Sequence, residues 1–178
     1  DTEILATNDG VCRWEVRGSS QFMEGLTITD TDGRLKIENR PTGGRRSGFL
    51  GFRRREENRI VIWTGFSEGE EAELIIGGSG SIRCAPSFRR ASLVIQGSGD
   101  IAFSEAERLA LSIYGSGDIR FDAARDAEIS IAGSGDASGQ RVQDSLAVSV
   151  AGSGDVDVRE SSLSRFRASI EGSGDIHI

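Results

Sequence analysis

Apolar residues alternate with other residues at a period of two over six separate stretches of the chain, and each stretch is built around a Gly-Ser-Gly tripeptide. When the first glycine is position zero, apolar residues fall at minus six, minus four, minus two, plus four and plus six. Leu109, Leu111 and Ile113 precede one such tripeptide, and Ile119 and Phe121 follow it. Successive side chains of a strand point to opposite faces, so these even offsets predict strands with one buried face, not helices.

Both glycines of each tripeptide share the parity of the apolar positions. We therefore expect inward-facing sites where a side chain has no room and where the strand bends. The predicted structural corners are Gly78, Gly80, Gly97, Gly99, Gly115, Gly117, Gly133, Gly135, Gly152, Gly154, Gly172 and Gly174.

The tripeptides recur every 18 to 20 residues. The 13 residues from minus six to plus six keep a fixed length, so all length variation lies in joining segments at 85–90, 104–108, 122–126, 140–145 and 159–165, predicted to be loops. Each repeat is too short to bury its own apolar face, and no helical pattern separates the strands. The sequence predicts an all-β fold, a single-domain parallel β-helix over residues 1–178 in which each of six repeats within 72–178 is one coil.

Residues 11–76 lack this corner, which first occurs at Gly78. We expect irregular strands in 11–76 that cap the N-terminal end of the solenoid. Strand patterns occur at 11–16, 26–28, 35–37 and 60–63, with a turn signal at 30–33, whereas 1–10 is polar and expected to fray. No signal peptide is visible, so either the chain is cytosolic or a leader was removed.

An arginine-rich loop is expected at 43–59. Residues 40–59 hold seven Arg against two Glu, in a chain of net charge −7. Two interpretations stay open: a solvated loop that pairs with the acidic body, or a contact site for an anionic glycan, lipid or protein surface. The contact residues would be Arg45, Arg46, Phe49, Leu50, Phe52, Arg53, Arg54 and Arg55. We expect no nucleic-acid partner.

The repeated Gly-Ser-Gly-Asp-Ile-x-Phe, preceded by Asp32-Gly33-Arg34-Leu35-Lys36-Ile37 and the strand at 60–63, resembles the head GIN domain family of putative autotransporter adhesins. The resemblance covers about 11–178. It implies a right-handed β-helix-like fold, export to the periplasm, outer membrane or cell surface of a bacterium, and no catalytic residues. The chain departs from the pattern in the arginine-rich insert, in Ser81 where other copies have Asp, and in Ala137 and Gly139 of the fourth copy.

Odd offsets place polar side chains in outward columns. One column is Asp100, Asp118, Asp136, Asp155 and Asp175; serines form two more, at Ser98, Ser116, Ser134, Ser153 and Ser173 and at Ser112, Ser130, Ser149 and Ser169. Stacked carboxylates repel one another. We expect each Asp to accept hydrogen bonds from backbone N–H groups of its own corner; bound calcium is the alternative, although calcium-binding repeats have a period of nine.

Enzymatic motifs are sparse. His177 is the single histidine, and neither a nucleophile elbow nor a phosphate-binding loop occurs. We predict no catalytic, cofactor-binding or metal-ligating residues and no cofactor. Asp157, Arg120 and His177 share the plus-five column, which keeps open a carbohydrate-active enzyme of the polysaccharide lyase kind. Left-handed acyltransferase helices fit less well, because the corner recurs once per coil.

Cys12 and Cys84 could pair in an exported protein, but the inward position of Cys84 favours a free, buried thiol. The sequence thus predicts a non-enzymatic exported binding or scaffold protein. Because Ile176 and Ile178 face inward with no cap after them, we also expect a homo-oligomer formed through the C-terminal coil.

Overall fold

The computed structural model describes residues 2–6, 13–17, 26–31, 34–39, 59–64 and 71–178, and it describes side chains only in the last of these ranges. Every regular element described is a strand. The strands are β1 (Thr2–Ala6), β2 (Arg13–Arg17), β3 (Leu26–Thr31), β4 (Arg34–Asn39), β5 (Arg59–Thr64), β6 (Glu71–Gly78), β7 (Ser81–Gly97), β8 (Asp100–Gly115), β9 (Ile119–Gly133), β10 (Ala137–Gly152), β11 (Val156–Ser161), β12 (Arg165–Gly172) and β13 (Ile176–His177).

Parallel pairing between successive repeats confirms the β-solenoid. The order β7, β8, β9, β10 is continuous and parallel; β6 pairs with the second half of β7, and β11 and β12 pair with the two halves of β10. Equivalent glycines pair with each other on adjacent coils, as in Gly97 with Gly115 and Gly115 with Gly133. The six repeats therefore form about six coils, stacked roughly 4.8 Å apart.

Strands also cover the N-terminal end, as the sequence predicts. Beyond β7 the sheet continues through β1 and β5 to β2, and β2 runs antiparallel to β5. The turn signal at 30–33 joins β3 and β4 as an antiparallel hairpin. The expectation that 1–10 frays was wrong for Thr2–Ala6, which pairs in parallel with both β5 and β7. A local pattern could not show this pairing, because both partners lie more than 50 positions away in the sequence.

The predicted inward positions form the core. Leu93, Ile95, Leu111, Ile113 and Ile131 are each at most 1% exposed, as are their equivalents at plus four, such as Ile101 and Ile119. A core of this kind buries three to five aliphatic or aromatic side chains per coil, and each such side chain contributes roughly 1.5–3 kcal/mol.

The joining segments are not loops in most coils, which corrects the prediction. Strands β7 to β10 run through them, and each segment adds buried residues: Pro86 and Phe88 in the first, and Ala106, Ala124 and Val142 in the next three. From the second segment onwards the spacing is no longer two, as in Phe121, Ala124 and Ala127, so the period of two does not reveal these residues. The extra residue of a 19-residue coil is accommodated as a register shift, between Cys84 and Ser87 and between Val142 and Ser145.

From Gly97 onwards the corner glycines lack room for a side chain, as predicted, but the obstacle is the backbone of the preceding coil. Gly78 and Gly80 have open space there, because no described corner precedes them. A Cβ atom on Gly117 would lie 2.0 Å from the carbonyl oxygen of Gly99, and one on Gly115 would lie 2.2 Å from that of Gly97. The first glycine of each corner is exposed or partly exposed, which corrects the expectation that it faces inward, and from Gly97 onwards it has φ between +140° and +148°. The second glycine is buried from Gly99 onwards. Both glycines therefore set how closely adjacent coils approach.

The fourth repeat departs from the pattern in a compensated way. Gly139 stands where Phe103 and Phe121 stand in earlier coils, and a Cβ on Gly139 would lie 2.3 Å from Cζ of Phe121. The ring of Phe121 therefore fills the space that a side chain of Gly139 would need. Gly139 is itself buried.

We predict that Gly117→Ala lowers the free energy of unfolding by more than about 2 kcal/mol, because the new methyl group overlaps a backbone carbonyl that cannot rotate away. Gly80→Ala is the matched control. It is the same corner position in the first copy, where a Cβ meets nothing within 4 Å and φ is ordinary, so it should change stability by less than about 0.5 kcal/mol. Urea unfolding curves measure both; equal losses would contradict the coil-to-coil origin of the constraint.

Candidate functional site

The structure describes the corners and the outward columns among the predicted site residues. The arginine-rich stretch at 43–59 and Cys12 lie outside the described residues, except for Arg59 in β5. The site is therefore built from the outer surface of residues 71–178. This part of the chain holds ten Arg and sixteen Asp or Glu, so the outer surface is acidic.

Each corner is bonded to its neighbours by a repeated set of backbone hydrogen bonds. The N–H of the corner serine donates to the carbonyl of the first glycine one coil earlier, at 2.8–2.9 Å in all five cases from Ser98 to Ser173. The N–H of the residue after the aspartate donates to the aspartate carbonyl one coil later, as from Ile119 to Asp136 at 2.9 Å. The corner thus continues the parallel ladder through the bend.

The aspartate side chains form a further set of hydrogen bonds between adjacent coils. The Asp118 N–H donates to Oδ1 of Asp100 at 3.3 Å, and the same bond recurs in Asp136 to Asp118, Asp155 to Asp136 and Asp175 to Asp155 at 3.2, 2.8 and 2.8 Å. The expectation that each carboxylate bonds to its own corner is therefore corrected: the donor is the N–H of the next aspartate along the column. Hydrogen bonds to a charged acceptor stabilise it, which offsets repulsion between stacked carboxylates.

The first copy has Ser81 at the position of the aspartate and therefore offers no carboxylate to the next coil. The Asp100 N–H donates instead to the backbone carbonyl of Gly80, at 2.8 Å. In later copies the carboxylate takes the acceptor role. As for the calcium alternative, the described residues contain no group of three or more His, Cys, Asp or Glu side chains placed to hold a metal ion.

The second serine column is also in register. Ser112 pairs with Ser130, Ser130 with Ser149, and Ser149 with Ser169 on successive coils. The plus-five column is aligned in the same way, so that Arg120, Ser138, Asp157 and His177 follow one another. Two residues of the predicted lyase-like set, Arg120 and Asp157, are therefore two coils apart on one face.

Short joining segments predict a smooth column, but the outer surface of the described coils is not smooth. A depression of about 750 Å³ lies on the outer face between the plus-five and plus-seven columns. We call it the axial groove. Its polar and charged lining residues are Arg83, Ser104, Arg120, Asp122, Ser138, Gln140, Asp157 and Arg159.

The sequence predicts only part of the axial groove. Its pattern places Arg120 and Asp157 on the plus-five column, but it leaves Asp122, Gln140 and Arg159, at plus seven, in predicted joining loops. The signal that could have found them is their odd offset, which continues the outward series by one more alternation before the bend.

Ion pairs on this surface join adjacent coils or residues two apart, and all of them are solvent-exposed. Arg120 lies 3.5 Å from Asp118, and Arg141 lies 3.1 Å from Glu160. Exposed pairs contribute little to stability. Their effect here is on side-chain position, because each pair holds a long arginine side chain close to the outer surface of the coil.

A stronger polar cluster ties the last coils together. Asp144 accepts a hydrogen bond from the Ser164 hydroxyl, and Arg125 and Arg165 lie 3.9 and 3.8 Å from its carboxylate. The Ser164 hydrogen bond, aided by the two guanidinium groups, lowers the pKa of Asp144 below its ordinary value, although partial desolvation acts against it. The Ser164 N–H also donates to the Asp144 carbonyl at 2.8 Å, so this cluster fixes the segment between β11 and β12.

Cys84 is a free, buried thiol, as predicted. It is 2% exposed, and desolvation by burial raises its pKa to about 12. A thiol with so high a pKa is protonated at neutral pH and is therefore neither a nucleophile nor a ready metal ligand. It packs in the core beside Arg83 of the axial groove.

The last coil leaves apolar side chains exposed. Phe166, Ala168 and Ile170 pair in register with Leu146, Val148 and Val150, which are buried beneath them. Phe166 is 49% exposed, Ile170 43% and Ile178 46%, because no described strand stacks on this coil. The described ranges also contain no helix long and apolar enough to cross a membrane.

Comparisons with known proteins agree with this architecture. A family model described as "Putative auto-transporter adhesin, head GIN domain" matches residues 7–178. The chain is similar to a putative adhesin from Bacteroides fragilis, with 18% identity, a TM-score of 0.60, and coverage of 99% of this chain and 86% of that one. A putative adhesin from Parabacteroides distasonis gives 16% identity, a TM-score of 0.48, and coverage of 99% and 87%. No curated protein matches.

For the aspartate column we predict that Asp136→Ala lowers the free energy of unfolding by about 1–2 kcal/mol, because the Asp155 N–H loses its acceptor. Asp136→Asn keeps an acceptor oxygen and removes one charge, so its loss should be smaller. Glu128→Ala, an exposed residue on the same repeat with the same charge change, is the control and should change the free energy of unfolding by less than about 0.5 kcal/mol.

Calcium and EDTA should leave the melting temperature unchanged; a rise of several degrees with calcium would favour bound cations instead.

Proposed function

Because the chain belongs to the family of putative auto-transporter adhesins with a head GIN domain, we propose that it is an exported, non-enzymatic adhesion module presented at the cell surface. One structural observation supports this function more than any other. Successive coils hold outward polar side chains in register along a continuously hydrogen-bonded column, which gives a stiff surface that can contact a partner over several repeats. Solenoids use extended surfaces of this kind for binding.

We assign the electrostatic part of adhesion to the arginine-rich stretch at 43–59. It is the one concentration of positive charge in a chain of net charge −7. Phe49, Leu50 and Phe52 lie between its arginines, so the stretch combines charge with apolar contact. An anionic surface is the partner that this composition fits.

A carbohydrate-active enzyme is the second candidate. The axial groove favours it, because Arg120 and Asp157 both line that groove. The two residues are two coil steps apart, roughly 9.6 Å along the column, with Ser138 between them. Release of unsaturated or reducing sugar from a polysaccharide by the purified protein would favour this candidate over adhesion.

The adhesion proposal predicts that cells expressing the full-length gene bind to a surface coated with sulfated polysaccharide at low ionic strength and are released by high salt, because screening weakens exposed charge pairs. Deletion of 43–55 should abolish this retention. The fold should survive, since the deleted residues lie between β4 and β5, outside the repeated coils, and changing the length of a connecting segment alters closure entropy only slowly.

Two measurements make this test decisive. Antibody labelling of intact cells, compared with permeabilised cells, reports whether the protein is at the surface. Replacing Arg141 and Arg167 with Ser removes two arginines elsewhere and should leave retention unchanged. Unaltered retention after the deletion would return 43–59 to a solvated loop, and labelling only after permeabilisation would overturn surface presentation.

We further propose that a second copy of the chain covers the C-terminal coil. Phe166, Ile170 and Ile178 together expose apolar surface next to a strand edge with which no described strand pairs, and a second copy offers the same surface and the same edge. A two-fold contact of this kind is self-complementary, which is the commonest symmetry of oligomers. The other end of the sheet is already occupied by β1, β5 and β2.

This contact predicts that Ile170→Lys converts an associating protein into a monomer, because the lysine places a charge in the apolar contact. Ile75→Lys, at an isoleucine that is 54% exposed on the first coil, is the control and should leave association unchanged. Light scattering between low and high micromolar concentration measures both. A wild-type protein that stays monomeric, with a melting temperature independent of concentration, would contradict the proposal.

A further inference from the structure

The axial groove runs along the solenoid rather than around it. Its plus-five wall is formed by Arg83, Ala102, Arg120, Ser138 and Asp157, and its plus-seven wall by Ala85, Ser104, Asp122, Gln140 and Arg159. The intervening plus-six residues Cys84, Phe103, Phe121, Gly139 and Val158 are buried, so the backbone forms the floor. Five coils contribute, which gives a groove roughly 19 Å long at about 4.8 Å per step.

Three arginines and two aspartates line this groove, and Arg83 lies on the plus-five wall of the first coil without an acidic residue opposite it. The third coil places Arg120 on the plus-five wall and Asp122 on the plus-seven wall. The fifth coil reverses this, with Asp157 at plus five and Arg159 at plus seven. Residues two apart on a strand share a face, so each of these coils has one arginine and one aspartate on opposite walls. The Arg120 guanidinium also lies 3.5 Å from Asp118, which is outside the groove.

Uncharged hydrogen-bonding groups also line the groove. Ser138 and Gln140 lie on opposite walls of the fourth coil, between the two charged coils, and Ser104 lies on the second coil. Gln140 is held in place by Arg159, whose Nη1 donates to its Oε1 at 3.4 Å. The groove therefore offers donors and acceptors on both walls along its length.

This arrangement disfavours a ligand with charge of one sign. A polyanion would meet Asp122 and Asp157, and a polycation would meet Arg83, Arg120 and Arg159, within the same five coils. A chain of uncharged hydroxyl groups meets no such penalty, because each hydroxyl can donate to a carboxylate and accept from a guanidinium or an amide.

We propose that the axial groove binds a neutral polysaccharide chain that lies parallel to the solenoid axis. A linear chain of sugar units matches the length of the groove, and its hydroxyl groups match the alternating donors and acceptors. The biological meaning of this site rests on the proposed adhesion function, but its binding is a property of the purified chain. It is also distinct from the arginine-rich stretch, whose contacts are electrostatic.

Saturation-transfer NMR tests this site with neutral hexasaccharides of glucose, mannose and galactose, and with hexagalacturonate as the acidic comparison. We expect transfer to at least one neutral hexasaccharide that persists in 0.5 M salt, because uncharged contacts are not screened. Gln140→Ala should weaken binding about three- to tenfold, the effect of losing one hydrogen bond. Ser138→Tyr, which fills the middle of the groove, should abolish it.

Ser149→Tyr is the matched control for the blocking variant. It lies on the same strand, faces outward and is exposed, but it belongs to the serine column outside the groove. It should bind like the wild type. If Ser138→Tyr proves unstable in a thermal melt, Gln140→Ala at an exposed position carries the test.

The outcomes separate this proposal from the others. Absence of transfer to every neutral hexasaccharide, or equal binding by wild type and both groove variants, would overturn it. Preference for hexagalacturonate, lost in salt, would assign the groove to acidic glycans instead. Deletion of 43–55 should not change neutral-sugar binding, so failure of the adhesion test and failure of this one can be told apart.

Discussion

The contact between corner glycines of adjacent coils is the constraint on which the rest of the structure depends. From the second corner onwards, a Cβ on either glycine would approach the carbonyl oxygen of the equivalent glycine one coil earlier to 1.9–2.6 Å. Only glycine permits the backbones to come so close, and its positive φ at the first position allows the bend. The close contact therefore fixes the register of adjacent coils at one edge of the solenoid. The other inward and outward columns of side chains follow the same register.

Register at the corner has consequences for the polar surface. The aspartate column is possible because each carboxylate reaches the N–H of the next aspartate, one coil away, and accepts the hydrogen bond that a backbone carbonyl accepts in the first copy. Stacked carboxylates are thus part of the ladder, not an isolated run of like charges. This use of the side chains explains the repeated aspartate without requiring a ligand for it.

The two proposed binding surfaces differ in their physical basis. The arginine-rich stretch concentrates positive charge in an otherwise acidic chain, so the binding proposed for it would depend on salt. The axial groove mixes Arg83, Arg120 and Arg159 with Asp122 and Asp157, so the binding proposed for it depends on hydrogen-bond geometry. One is set by composition and the other by the alignment of five separate coils. An adhesion module that uses both would combine long-range attraction with selective contact.

The sequence alone determined the solenoid, because an unbroken period of two through Gly-Ser-Gly has no helical interpretation and each 18- to 20-residue repeat must stack to bury its face. It also identified the corner glycines, the outward aspartates and the buried Cys84. It missed the inward Ala106 and Ala124, because a bend changes the spacing from two to three. Only tertiary structure decided the pairing of β1, the acceptor role of each aspartate toward the next coil, and the axial groove. Each of these joins residues that are 18 or more positions apart, and their contact depends on how coils stack, which no local pattern of residues encodes.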